Sequence, residues 1–141
     1  MAKVITVSKV FPKGHINEGF PTNFIDKILQ KEKVHTIRAG SRWKSSDMYS
    51  LRVWSDKPYR SPQTIMQEDK PVCRVAEISI HEYFSGVDID GRVYFGKDLN
   101  AVLQELADND GLTLDQFKGW FEKSLPFYGQ IIFFHEKETS Y

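Results

Sequence analysis

The chain has 141 residues, which suits one domain with one packed core. Hydrophobic residues make up 40% and aromatics 13%, which excludes a disordered chain, and 19 Lys and Arg against 19 Asp and Glu exclude a polycation drawn to nucleic acid by bulk charge. A single cysteine, Cys73, excludes an internal disulfide and fits a reducing, cytoplasmic setting, while residues 1–11 lack a signal-peptide core and no run approaches the ~20 apolar residues a bilayer requires.

Lys3 to Phe11 mixes β-branched and polar residues and reads as a first strand. Residues 12–21 carry two Pro and two Gly and read as loop. Thr22 or Asn23 can cap a short helix, with Phe24, Ile25, Ile28 and Leu29 as its buried stripe. Lys33–Arg38 and Tyr49–Trp54 read as two strands joined by a basic turn. Strict alternation along the first would put Lys33 and Thr36 on opposite faces, unless a bend near its start reunites them.

Residues 55–71 hold three Pro and read as a long polar loop. Val72 to His81 is a strand in which Cys73 reads as a small core residue. Asp90-Gly91 marks a hairpin between Val87–Asp90 and Arg92–Phe95. Asp98 can cap a helix with Leu99, Val102, Leu103 and Leu106 at helical spacing, ended by Asn109, Asp110 and Gly111. Thr113 and Gln116 form a capping box for a further helix with Trp120 and Phe121 on its core face, stopped by Leu125-Pro126. The apolar run within Gly129–Phe134 predicts a central strand; residues 135–141 read as a frayed tail. Helices sit in the connections between strands, which predicts an α+β, mainly β, single domain over 1–141: a small barrel with helices packed outside.

Charge is uneven along the chain. Residues 31–60 hold 8 Lys and Arg against 3 Asp and Glu, and residues 76–115 hold 2 against 9, which predicts one basic and one acidic face.

Lys33, Thr36, Ile37 and Arg38, then Arg42, Trp43 and Lys44, Asp47 and Leu51–Trp54 together resemble the ASCH family, a branch of the PUA-like β-barrels. A second block agrees: Gly111-Leu112, Phe117, Trp120-Phe121 and Gly129–Phe133. The likeness spans most of the chain and is poorest over 55–71 and 83–96. One departure is Ser46, where the family usually carries Gly before the Asp of the turn. The resemblance implies a barrel with a cleft for RNA, a nucleotide or a modified base. One branch of the family hydrolyses N4-acetylcytidine with a Lys, a Thr and a Glu. Its Lys-x-x-Thr spacing matches Lys33 and Thr36, and the place of the Glu is filled best by Asp110, one methylene shorter.

Two functions follow as expectations. The first is binding of single-stranded or modified RNA, or of a small nucleoside ligand. Lys33, Arg38, Arg42 and Lys44 would contact phosphate, Trp43, Trp54 and Tyr59 would offer stacking faces, and Arg60 would meet a phosphate or base edge. Trp43, in a charged turn, is the better stacker, since a Trp ending a strand more often plugs a core. The alternative is an amidohydrolase: Lys33 as base, Thr36 as nucleophile, Asp110 as support and Arg38 or a backbone N–H for the oxyanion. A protein-interaction module using the acidic region 98–115 has charge alone in its favour. No metal or cofactor is implied: His15, His35, His81 and His135 are scattered, His35 reads as a packed strand residue, and the loops at Asp88–Gly91 and Asp108–Gly111 lack further calcium ligands.

Overall fold

A computed structural model describes residues 2–141. In chain order it places β1 (Lys3–Thr6), α1 (Phe24–Leu29), β2 (His35–Ala39), β3 (Met48–Trp54), β4 (Gln63–Ile65), β5 (Lys70–Pro71), β6 (Arg74–Ile80), β7 (Val87–Ile89), β8 (Arg92–Tyr94), α2 (Gly96–Asn109), α3 (Leu114–Phe121) and β9 (Phe127–Phe133). Among the described residues this is an α+β fold with nine strands in two sheets and three α-helices. No helix among them is long and apolar enough to cross a membrane.

The sheets divide at the basic turn. β2 ends on one side of it and enters a five-stranded sheet of order β2-β9-β6-β7-β8. β3 starts on the other side and becomes the hub of a second sheet, pairing in parallel with β1 and antiparallel with β4 and β5. β9 lies between β2 and β6, and its last five residues are all buried, as its largely apolar run requires. Gly129 allows this approach: a Cβ there would lie 2.2 Å from the Arg38 carbonyl oxygen.

The helix patterns hold with adjustments. α2 buries Leu99, Val102, Leu103 and Leu106, and Thr113 with Gln116 forms the reciprocal capping box at the start of α3. Phe95 holds the N-cap position of α2, leaving Asp98 in the first turn. Asn23 is left-handed and makes no cap bond; the Thr22 hydroxyl accepts from the Phe24 N–H instead. Leu29 is half exposed, because the short helix turns only Phe24 and Ile28 fully inward.

Several expectations are overturned. The 55–71 loop contains β4 and β5, since β3 offers an edge whose backbone groups need partners. Cys73 is exposed, just before β6, on a face the core does not cover. Ser46 is free of left-handed strain, so the turn accepts a residue with a Cβ. The tail is not frayed. Arg74 donates to the Tyr141 carbonyl (2.8 Å), Tyr94 donates to the Ser140 carbonyl (3.0 Å), and Glu105 accepts from Ser140 N (3.0 Å) and its hydroxyl.

Candidate functional site

Lys33 stands just before β2, so the alternation that would oppose it to Thr36 does not reach back to it. Its N–H donates to Lys27 O at 2.9 Å, and the Val34 N–H donates to Asn109 O at 2.7 Å, tying the strand entry to α1 and to the end of α2. Gly111 makes this fit possible. Its φ is +75°, and a Cβ there would come within 3.1–3.2 Å of the Lys27 and Lys33 side chains. The result is one small cavity of about 80 Å³ lined by Lys33, Thr36 and Arg38 from the β2 region and Asp110 from the end of α2. Thr6, Ser8, Phe24 and Trp120 close its walls.

The cavity is electrostatically unusual. The Lys33 amine donates to the Asp110 carbonyl oxygen at 2.7 Å, lies 3.6 Å from Asp110 Oδ1 and sits 4.3 Å from the centroid of the Phe24 ring. Burial pushes its pKa down to about 8; Asp110 resists that shift, and Arg38 and Lys27 reinforce it. Arg38 donates from Nη2 to Thr6 O at 2.8 Å, while its buried Nε has no hydrogen-bond partner. Burial lowers the Arg38 pKa as well. An orphaned, charge-bearing N–H costs more than the ~1–3 kcal/mol of a neutral one, so Arg38 is held at a cost on the wall that the cavity shares with the neighbouring groove.

Asp110 is held from behind. His35 Nδ1 lies 2.7 Å from Asp110 Oδ1, and His35 Nε2 lies 2.7 Å from the Tyr141 hydroxyl. No protein donor among the described residues bonds Asp110 Oδ2, which belongs to a cavity-lining side chain. His35 is therefore a packed strand residue, as expected, and also the anchor of the cavity carboxylate, which its sequence context did not show.

The remaining site residues scatter. Trp43 is 5% exposed, so it is not a stacking platform: Lys3 and Arg42 lie over its ring, and Gln130 grips its backbone N–H (2.9 Å) and carbonyl (3.0 Å). Arg42 and Lys44 are exposed in the turn and line neither the cavity nor the groove beside it. Trp54 plugs no core. It is half-buried, packs at 5.1 Å against the exposed Tyr59 ring, and lines with it an open groove of about 680 Å³. Arg38, Thr6, Val7 and Ser8 line both cavity and groove, so the two are neighbours. Arg60 is exposed outside the groove lining. Trp120 is half-buried, packed against the edge of the core, and also forms part of the cavity wall beside Phe11, His15 and Phe24.

Sequence reasoning missed Thr6, Ser8, Phe24 and Tyr141. Nothing near them in the chain signals a site; each arrives by folding from more than eight residues away. Among the described residues no group of three or more His, Cys, Asp or Glu is arranged to hold a metal ion. Compared with models of known families, with curated proteins and with solved structures, the chain matches none.

Proposed function

We propose that the chain is an ASCH-type, PUA-like domain that receives the polar end of a nucleobase-containing ligand in the Lys33–Thr36–Arg38–Asp110 cavity. The observation that carries this reading is the convergence of an amine, a hydroxyl, a guanidinium and a carboxylate on one buried space. About 80 Å³ is roughly the volume of two or three waters, too little for a nucleoside. The adjoining groove, of about 680 Å³, is in the range of small-molecule sites and offers the Trp54 and Tyr59 rings for a base. The ligand therefore enters head first: a carbonyl or amide group inside, the ring and sugar outside. A free nucleoside or an unstacked residue of RNA fits this description. A strand lying along Arg42 and Lys44 does not, because those cations line neither the cavity nor the groove.

A second reading, amide hydrolysis, is favoured by the lowered Lys33 pKa, which leaves a usable fraction of neutral amine near neutral pH. Neutral Lys33 takes the proton from Thr36 Oγ1 as that oxygen attacks the acyl carbon. The Arg38 guanidinium or a backbone N–H stabilises the oxyanion. The lysine proton passes to the leaving nitrogen as the C–N bond breaks, and water hydrolyses the acyl-threonine by the reverse proton route. Asp110 holds the amine through the cycle.

The test is direct. Titrate cytidine and N4-acetylcytidine while following Trp fluorescence, and assay the second for cytidine and acetate. Saturable binding lost in Arg38→Ala supports the site, and turnover lost in Lys33→Ala and Thr36→Ala supports hydrolysis. Absence of both binding and turnover at millimolar ligand overturns the proposal.

A further inference from the structure

Behind Asp110 runs a chain of hydrogen bonds whose direction can be worked out. The Lys137 ammonium can only donate, so the Asn109 atom 2.7 Å from it is the amide oxygen. The Asn109 amide nitrogen then faces the Tyr141 hydroxyl at 2.8 Å and donates to it. Having accepted there, the phenol directs its own hydrogen at the other neighbour, His35 Nε2, 2.7 Å away. Nε2 must be the bare nitrogen, so the proton sits on Nδ1 and is donated to Asp110 Oδ1 at 2.7 Å. Every donor in the series points toward the cavity. His35 and Asn109 are buried, and burial pushes the Tyr141 phenol up, which keeps its hydrogen in place.

We infer that His35 is a positioning residue whose tautomer is set by Tyr141 and Asn109, so that it clamps one oxygen of Asp110 and presents the other to the ligand. This rests on the reading of the cavity as a ligand site. The physical reason is geometric. A short carboxylate at the end of a helix has two free torsions, and a fixed donor on Oδ1 selects the rotamer in which that oxygen also stays 3.6 Å from the Lys33 amine. The Phe133 ring, packed edge-on at 4.9 Å, holds the imidazole plane. The groups that face this series are Lys33 and Arg38 from the β2 region, Lys27 from α1, and Arg74 and Glu105 around the tail.

The test reads the ring itself before any ligand is added. In protein labelled with ¹⁵N histidine, long-range correlation at neutral pH should show His35 as the neutral Nδ1–H tautomer. Tyr141→Phe, which keeps the ring volume, should shift the Nε2 resonance and weaken N4-acetylcytidine binding about five- to tenfold. His35→Asn, whose amide can still donate from near the Nδ1 position, should retain more affinity than His35→Gln. An Nε2–H tautomer, or a Tyr141→Phe protein with unchanged resonances, overturns the inference whatever the ligand result. The expected tautomer in a protein that neither binds nor turns over N4-acetylcytidine leaves the clamp standing and removes the ligand reading instead.

Discussion

Lys33–Arg38 and Gly40–Asp47 are adjacent in sequence, similarly rich in cations, and opposite in fate. In the first, Lys33 loses its water to burial and Arg38 Nε is left without an acceptor. In the second, every strong group is either satisfied by the protein or open to solvent. Asp47 binds Lys3 (2.6 Å) and the Lys44 N–H (2.8 Å), Lys3 also donates to Arg42 O (2.5 Å), and Gln130 saturates the Trp43 backbone. Hydrogen-bonding to Lys3 is the main cause that holds the Asp47 carboxyl below its usual range. Cationic density alone therefore does not mark a binding surface. On the function proposed above, an incompletely satisfied, dehydrated cation does, because there a ligand adds an interaction that water and protein have not already supplied.

The largest effect expected from breaking this contrast is at Asp110. Asp110→Ala strands the buried Lys33 ammonium and removes the partner of His35, and should cost about 3–5 kcal/mol of unfolding free energy in urea titration. Asp47→Ala in the turn should shift the urea midpoint only slightly, since its pair with Lys3 is solvent-screened. Comparable losses at the two aspartates would erase the distinction.

The next effect is a pH dependence. Lys33 has a folded pKa of about 8 against 10.5 in the unfolded chain, so between those values the unfolded state binds more protons. Stability should therefore rise with pH across about 8 to 10.5, by roughly 3 kcal/mol at ~1.4 kcal/mol per pKa unit, with the penalty fully present below pH 8. Lys33→Met should flatten that rise. A mutant curve parallel to the wild type would mean that Lys33 keeps its water.

Gln130→Leu should cost about 1–3 kcal/mol by leaving the buried Trp43 backbone groups unpaired, without changing ligand affinity. Smallest of all should be the double change Arg42→Ala with Lys44→Ala, which is expected to leave nucleoside binding within twofold of the parent and barely alter its salt dependence, whereas Arg38→Ala should lower affinity tenfold or more. A steep salt slope that vanishes in the double variant would move the binding surface to the turn.

The elements that local pattern controls were legible in the chain. The apolar period of α2, the Thr113–Gln116 box, the Asp90-Gly91 hairpin and the apolar run of β9 each act within a few residues, where backbone sterics and side-chain period dominate. At the site, the grouping of Lys33, Thr36, Arg38 and Asp110 was anticipated from spacing and resemblance, and these side chains do share one cavity. The exposure of Trp43 and Trp54 was read the wrong way round. Whether an indole is covered depends on residues such as Lys3, which reaches over the Trp43 ring from β1, and no local pattern encodes that.

By itself the sequence determined the helices and the longer strands, though not β4 and β5, and that one short stretch carries an amine, a hydroxyl and a guanidinium. Tertiary structure alone decided which cations lose their water and which remain solvated. It also decided that Asp110 meets Lys33, and that Tyr141 folds back to set His35. The reason is that secondary structure follows local torsional and hydrophobic periodicity, whereas dehydration is set by whatever distant chain closes over a group, and the charge state and reactivity of that group follow its dehydration.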